Sequence, residues 1–329
     1  MPDLYDVAAI GNAIVDVIAP ATEEFLAFNH LTKGAMMLVD EDQSARIYAR
    51  MQAGVEASGG SAANTIAGLA SFGGKGAFLG KVADDQLGAV FTHDMKAIGA
   101  HFANAPLVGG KATAVSMINV TPDGQRTMCT FLGASTAFAD EDVDKDVIES
   151  AKIVYLEGYL FDAPLARRAF AKAAALAHGS GRKIALTLSD SFVVERHREA
   201  LLGFIEGQVD LLFANESEVC ALFRTTDFDE AVSALRERVE LAAVTRAAQG
   251  SVILSKGERL TVAAEPVEKV VDTTGAGDQY AAGFMFGLSR GRPLQQCGKL
   301  ASLAAAEVIS HYGPRPQVSL KELAESKGY

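Results

Sequence analysis

The sequence predicts an α/β protein: a largely parallel sheet covered by helices on both faces, with a small second sheet attached. Three observations predict it. From Ile153 onward, short β-branched runs alternate with helix-length stretches, the rhythm of strands joined by crossover helices. Two segments, one following Gly11-Asn12 and one around Thr121-Pro122-Asp123-Gly124, break that rhythm with strand-like patterns of their own. Finally, a chain of 329 residues, 49% hydrophobic and 22% charged, is long and apolar enough to bury a substantial core without disulfides.

Val7 to Ile10 is a short apolar strand ending at Gly11, and Ser61 to Phe72 reads as a helix that Ser61 can cap, with Ile66, Leu69 and Ala70 at helical spacing. Phe78-Leu79-Gly80 continues the sheet, and Asp84 to Ile98 is a helix with acidic residues in its first turn. Strands follow at Ile153 to Leu156, Lys183 to Leu188, Val209 to Phe213, Leu241 to Val244 and Val252 to Leu254. Helices are expected at Pro164 to Ala177, near Glu216 to Phe223 and over Asp229 to Val239. Ala13 to Val39 shows apolar clusters without a clear helix, and Thr113 to Leu132 alternates around a Pro/Gly turn, which reads as a β-hairpin. These two segments can build a small sheet that closes over a ligand and excludes water; an edge extension of the main sheet fits the same pattern.

With Lys+Arg 30 against Asp+Glu 41, the net charge of −11 excludes the concentrated basic face of a nucleic-acid partner. A local site for an anionic substrate remains open. Met1-Pro2-Asp3-Leu4-Tyr5-Asp6 lacks the basic start and apolar stretch of a signal peptide, and no uncharged apolar run reaches the ~20 residues of a membrane span. Cys129, Cys220 and Cys297 lie far apart and imply neither zinc nor a disulfide framework. A soluble, cytoplasmic protein is expected.

The chemistry concentrates in Asp272-Thr273-Thr274-Gly275-Ala276-Gly277-Asp278, between the apolar run Val267 to Val271 and the helical stretch Gln279 to Leu288. Read as strand, glycine turn and helix N-terminus, it offers free N–H groups and the positive end of a helix dipole to an anion. Gly275, Ala276 and Gly277 let phosphate oxygens reach the backbone, and Asp278 sits beside them as a base with an ordinary carboxylate pKa of ~4. A glycine turn with a dipole-friendly aspartate is the plainer reading of so short a fragment, but the full run between two elements favours the phosphate site. The third glycine of a dinucleotide fingerprint is absent after Gly277, and Gly73-Gly74-Lys75-Gly76 lacks P-loop spacing and its Ser or Thr.

That seven-residue run resembles the C-terminal signature of the ribokinase-like (PfkB) carbohydrate and nucleoside kinases, and Gly59-Gly60-Ser61-Ala62-Ala63-Asn64 resembles their N-terminal signature. The likeness extends from Gly11 to about Pro316. It implies a three-layer α/β/α core with a mostly parallel sheet and a small β-sheet lid. Residues 1–12, 40–110 and 135–329 would form the core, and 13–39 and 111–134 the lid. It also implies ATP as donor and Mg2+ as the charge-neutralising ion. Asp278 would be the base, with Gly275, Ala276 and Gly277 as the anion hole. Asn215 and Glu218 match the family's Asn-x-x-Glu element, which organises Mg2+ through water; by residue type alone Asn215 is better read as a helix cap. Thr245 to Gly250 resembles the family's nucleotide loop, although Ala247 stands where glycine is usual. Asp272 and Thr274 sit where a monovalent cation site, K+ for instance, would begin.

Asp16 can accept two hydroxyl hydrogens at once, which suits a vicinal diol. By the family positions Asn12, Asp16, Gly60 and Asn64 face substrate, with Gly60 leaving room for a sugar ring. The form Gly11-Asn12-x-x-x-Asp16, together with Leu156-Glu157-Gly158-Tyr159-Leu160-Phe161, is similar to the adenosine kinase branch. This implies the 5′-hydroxyl of a purine nucleoside as acceptor, with Met36, Met37, Phe131 and Tyr159 as candidates for an apolar clamp. Arg126 in the hairpin matches an arginine that swings in with the lid to neutralise transferring phosphate; a surface arginine is the plain alternative. A sugar kinase acting on ribose, fructose or a related ketose is the second reading, and a non-catalytic nucleotide-binding member the third. The exposed face of the hairpin is a candidate surface for pairing two subunits through the lid.

Overall fold

The computed structural model describes residues 4–255 and 257–329, so the first three residues assigned to the core lie outside it. The strands in chain order are β1 (Tyr5–Ile10), β2 (Ile14–Pro20), β3 (Met36–Leu38), β4 (Val55–Gly59), β5 (Gly76–Leu79), β6 (Ala114–Val120), β7 (Arg126–Phe131), β8 (Ala151–Glu157), β9 (Lys183–Thr187), β10 (Leu211–Asn215), β11 (Leu241–Thr245), β12 (Ser251–Ser255) and β13 (Glu258–Val262). Eight of them form one sheet in the order β13-β12-β11-β10-β9-β8-β1-β5. From β11 to β5 the pairing is parallel throughout, while β12 and β13 return antiparallel at one edge.

Alternate residues of the central strands feed two separate cores, because side chains of a strand point to opposite faces. Ala8, Ile10, Val154, Leu156, Ile184 and Leu186 pack on one side, against helices that include Pro164–Gly179 and Ser191–Gln208. Val7, Ala9, Ile153, Tyr155, Ala185 and Phe213 pack on the other, against Ser61–Ser71, Ala276–Ser289 and Leu294–Ile309. Strands apolar on both faces belong to a sheet covered twice, and the three-layer α/β/α expectation holds.

The second sheet has five strands in the order β3-β7-β6-β2-β4. The expected hairpin is β6 and β7, turned at Thr121 to Gly124, where Gly124 takes φ +81° and its N–H bonds the Thr121 carbonyl at 2.8 Å. Strand β4, from a stretch that the sequence reading gave to the core, pairs antiparallel with β2 and carries the chain from the second sheet into the helix at Ser61.

The strand expected at Val267 to Val271 is absent. β13 already occupies that sheet edge, and the run is broken by Glu268 and Lys269; Val270 is 52% exposed. This segment is instead a loop tied by the Val271 N–H to the Ile309 carbonyl at 2.8 Å. The helix expected from Asp84 begins at Gln86, with Asp85 as its cap and no acidic residue in its first turn. Long helices at Ser191–Gln208 and Leu294–Ile309 were not anticipated.

Candidate active site

Gly275 caps the helix Ala276–Ser289 with φ +80°, and an added Cβ there would lie 2.6 Å from Pro314. A left-handed turn this close to a neighbouring backbone requires glycine. The Ala276 N–H is spent on the Thr273 carbonyl at 3.2 Å, so of the expected anion hole Gly275 and Gly277 keep their N–H groups unspent, and the first turn adds that of Asp278. Nothing lies within 4 Å of a Cβ added to Gly277, so this helix end opens onto free space.

Asp278 stands in that first turn. Ser61 Oγ donates to its Oδ1 at 2.6 Å, and Asn64 Nδ2 donates to its Oδ2 at 3.2 Å. Ser61 therefore does not cap its own helix, where Gly60 is the capping residue without a side-chain bond. Burial pushes the Asp278 carboxyl up to about 6, against the pull of Ser61, Asn64 and the positive charge of Arg315. The ordinary value near 4 expected from residue type alone does not hold in this desolvated setting.

Asp16, in β2, lies against Gly59, whose hydrogen is all that fits beside its carboxylate. Burial raises Asp16 to about 7; Arg315 opposes the rise and the charge of Asp278 adds to it. Gly60 has φ +91°, and a Cβ there would strike the Asn12 carbonyl, so this position requires glycine for the close approach of two backbones. Asn12 is buried and donates through Nδ2 to Glu157 Oε1 at 2.6 Å, and the Ala62 N–H donates to Glu157 Oε2 at 2.9 Å. The side chain of Asn12 thus ties the end of β1 to β8, and Glu157 in turn holds the first turn of the helix at Ser61. Burial lifts Glu157 to about 7.

Arg315 is the residue that sequence reasoning missed. Its Nε–H donates to Asn64 Oδ1 at 3.2 Å, and its charge acts on Asp16, Asp94 and Asp278. In the sequence it is one arginine between two prolines in a loop, with no spacing that links it to Asn64 or Asp278. Asn64 consequently has both ends of its amide engaged within the protein.

Arg126, at the start of β7, reaches Asp272 rather than Asp278. Its Nη1 lies 2.6 Å from Asp272 Oδ2, and its guanidinium sits 5.2 Å from the centre of the Tyr312 ring. Asp272 also accepts from the Thr274 N–H and hydroxyl and from the Gly313 N–H. Burial acts to raise Asp272, but these bonds and the Arg126 charge hold it below the usual carboxylate range. Four donors thus meet the Asp272 carboxylate, one of them a guanidinium, while the Thr274 hydroxyl, a donor to Asp272, keeps its own acceptor lone pairs.

Asn215 and Glu218 form a complete capping box. Asn215 Oδ1 accepts from the Glu218 N–H at 2.9 Å, while the two Glu218 oxygens accept from the Asn215 N–H at 3.0 Å and Nδ2 at 2.7 Å. Burial raises Glu218 to about 7. The helix-cap reading of Asn215 is thus fulfilled, and with both Glu218 oxygens in use, a role toward Mg2+ through water suits the pair better than direct ligation. In the expected nucleotide loop, Thr245 Oγ1 approaches the Ala214 carbonyl at 3.5 Å, and Gly250 turns with φ +84° against the Val262 carbonyl. Ala247 has φ +46°, the left-handed conformation in which glycine is at ease. Of the clamp candidates, Met36 is exposed, Phe131 is buried among the second core, Met37 packs on that core and Tyr159 packs on the other. Among the described residues no cluster of His, Cys, Asp and Glu forms a metal cage, and no helix is long and apolar enough to cross a membrane.

The pattern of the pfkB family of carbohydrate kinases matches residues 6–320. The chain belongs to that family. Its kinase fold is shared with an adenosine kinase structure from Sinorhizobium meliloti, 52% identical, covering 98% of this chain and 99% of that one at a TM-score of 0.91. A probable sugar kinase from Rhizobium etli is 48% identical, covering 100% and 99% of the two chains at a TM-score of 0.92. The adenosine kinase of Saccharomyces cerevisiae is 27% identical over 93% of this chain and 95% of its own length. The leaning of the signatures toward the adenosine kinase branch is therefore sound.

Proposed function

We propose that this pfkB-family kinase transfers the γ-phosphoryl group of ATP to the 5′-hydroxyl of a purine nucleoside, with Asp278 as the base. The observation that carries the reading is the placement of a desolvated, hydrogen-bonded carboxylate in the first turn of a helix whose N-terminus is otherwise open. Asp278, ionised above about pH 6, takes the hydroxyl proton as the oxygen attacks. The N–H groups of Gly277 and Asp278 and the helix dipole stabilise the phosphoryl oxygens as charge develops on them. Ser61 and Asn64 hold the base in one orientation. Asp16, on β2, takes the ribose hydroxyls. Asn215 and Glu218 would organise Mg2+ through water, and the ion would supply neutralisation of phosphate charge. The second sheet serves as a lid, with Arg126 exchanging Asp272 for phosphate as it closes.

The 52% identical adenosine kinase supports a nucleoside acceptor, and the 48% identical probable sugar kinase keeps ribose, fructose or a related sugar as the second reading. The test is coupled ADP release with ATP, Mg2+ and a panel of nucleosides and free sugars, beside Asp278→Asn. Turnover with adenosine, lost in the variant, is expected. Turnover with free sugars alone would overturn the acceptor, and nucleotide binding without any turnover would overturn the enzyme.

A further inference from the structure

We propose that Arg315 is a positioning residue for the base: it orients the Asn64 amide toward Asp278 and balances the carboxylates gathered in the same cleft. This rests on the reading of Asp278 as base. An asparagine amide can face Asp278 with either its oxygen or its nitrogen, and only the nitrogen is compatible with a carboxylate. The Arg315 Nε–H, a donor with no acceptor capacity, claims Oδ1 at 3.2 Å and thereby turns Nδ2 toward Asp278 at 3.2 Å. Gln279 fixes both partners: its Nε2 donates to the Asn64 carbonyl at 3.0 Å and to the Pro314 carbonyl at 2.9 Å. The loop is pinned again at Gly313, whose N–H meets Asp272 at 3.0 Å, and at Pro314, which Gly275 abuts.

The charge distribution points the same way. Asp278 is faced by the acids Asp16 and Glu157 and by Tyr155 and Tyr159, and the cation acting on it is Arg315. Arg315 acts likewise on Asp16 and Asp94, and burial pulls it below its ordinary value. Its Nη2 is buried and has no hydrogen-bond partner. A guanidinium kept only for packing would have its donors satisfied; one left partly unpaired among carboxylates costs folding energy and acts through its charge.

The deciding experiment is a carbon-13 titration of the aspartate carboxyls, with Asp278 assigned by Asp278→Asn, in wild type, Arg315→Gln and Arg315→Lys. Arg315→Gln keeps a donor for Asn64 but removes the charge, and is expected to raise the Asp278 midpoint by about 1–3 units. A midpoint moved from about 6 to about 7.5 leaves roughly a quarter of the base ionised at pH 7, a loss of about fourfold in kcat/KM that recovers near pH 9. Arg315→Lys restores the charge without the fixed Nε–H, so the midpoint stays near wild type while the Asn64 side-chain amide exchanges about tenfold faster. An unchanged Asp278 midpoint in a folded Arg315→Gln protein overturns the proposal. If that variant does not fold, an unchanged Asn64 amide in Arg315→Lys overturns it instead. Neither readout needs turnover, so a wild type that phosphorylates nothing would sink the kinase reading and leave the role of Arg315 decided on its own.

Discussion

Gly277→Ala separates folding from phosphate chemistry at a single atom. Gly277 has no left-handed φ, and a Cβ built on it meets nothing within 4 Å, so the substitution introduces neither strain nor clash. Alanine in a helix is favoured over glycine by about 0.5–1 kcal/mol, chiefly through the unfolded chain. The thermal midpoint should therefore rise by about 1–3 °C. The Cβ of a helical residue tilts toward the helix N-terminus, which here is the space where the transferring phosphoryl group is proposed to sit. A methyl-sized atom there keeps the oxygens off the Gly277 and Asp278 N–H groups. Loss of one such donor in a preorganised site costs about a hundred- to a thousandfold in kcat.

Gly275→Ala is the contrast. There φ is +80° and the added carbon would lie 2.6 Å from Pro314, so stability falls along with activity; the left-handed conformation alone costs about 1–2 kcal/mol. Calorimetry and the coupled ADP assay on the two variants give the comparison. A Gly277→Ala protein that is more stable and turns over at the wild-type rate would refute the anion site above this helix. Loss of stability in that variant would refute the geometry on which the reasoning stands.

Four further outcomes follow from the same structure. The rate should fall about tenfold per pH unit below about 6, where Asp278 takes up its proton, and a kcat/KM profile flat to pH 5 would remove it as the base. Glu157 and Glu218 are raised from 4.5 to about 7 by burial, so the stability they contribute is complete below about pH 4.5 and is lost as pH rises through about 7; thermal midpoints should drop across that window, and Glu157→Gln should flatten the drop. Arg126→Met removes a charge-assisted bond from Asp272 worth about 1.5–3 kcal/mol, and amide exchange in β6 and β7 should quicken, with no change expected if the pair does not hold the second sheet down. Ala247→Gly relieves about 1–2 kcal/mol of left-handed strain against a glycine penalty of about 0.5–1, so stability should hold or rise by up to about 1.5 kcal/mol, measured by urea midpoints.

The layered fold was legible because its signal is carried by many residues at once: runs such as Ile153 to Leu156 and Leu241 to Val244 are apolar on both faces and punctuated by helix-length stretches. The failed strand at Val267 to Val271 shows the limit. Its residue types suit a strand, yet whether an edge is free is settled by where β13 has gone, and no local pattern records that. β4 escaped for the complementary reason: Val55-Glu56-Ala57-Ser58-Gly59 is a weak strand by composition and exists because β2 offers it a partner.

At the site, residue type announced which groups matter more reliably than it announced what they touch. Asn12, Gly60 and Asn64 read as substrate ligands because they match the family's positions; by residue type alone Asn64 is a polar position on a helix face. In the structure Asn12 bonds Glu157, Gly60 abuts the Asn12 carbonyl, and Asn64 joins Asp278 to Arg315. A buried carboxylate raised to about 6 or 7 is stable only with its donors in place, and the charge of Asp278 acts on both Asp16 and Glu157. Much of the N-terminal signature is thus accounted for by keeping Asp278 charged and oriented before any substrate arrives. It follows that Asn64→Ala should lower kcat at neutral pH more than it raises KM for the acceptor, since the base is misoriented while the diol site at Asp16 is intact. A rise in KM with kcat unaltered would return Asn64 to the substrate-binding role that its family position implies.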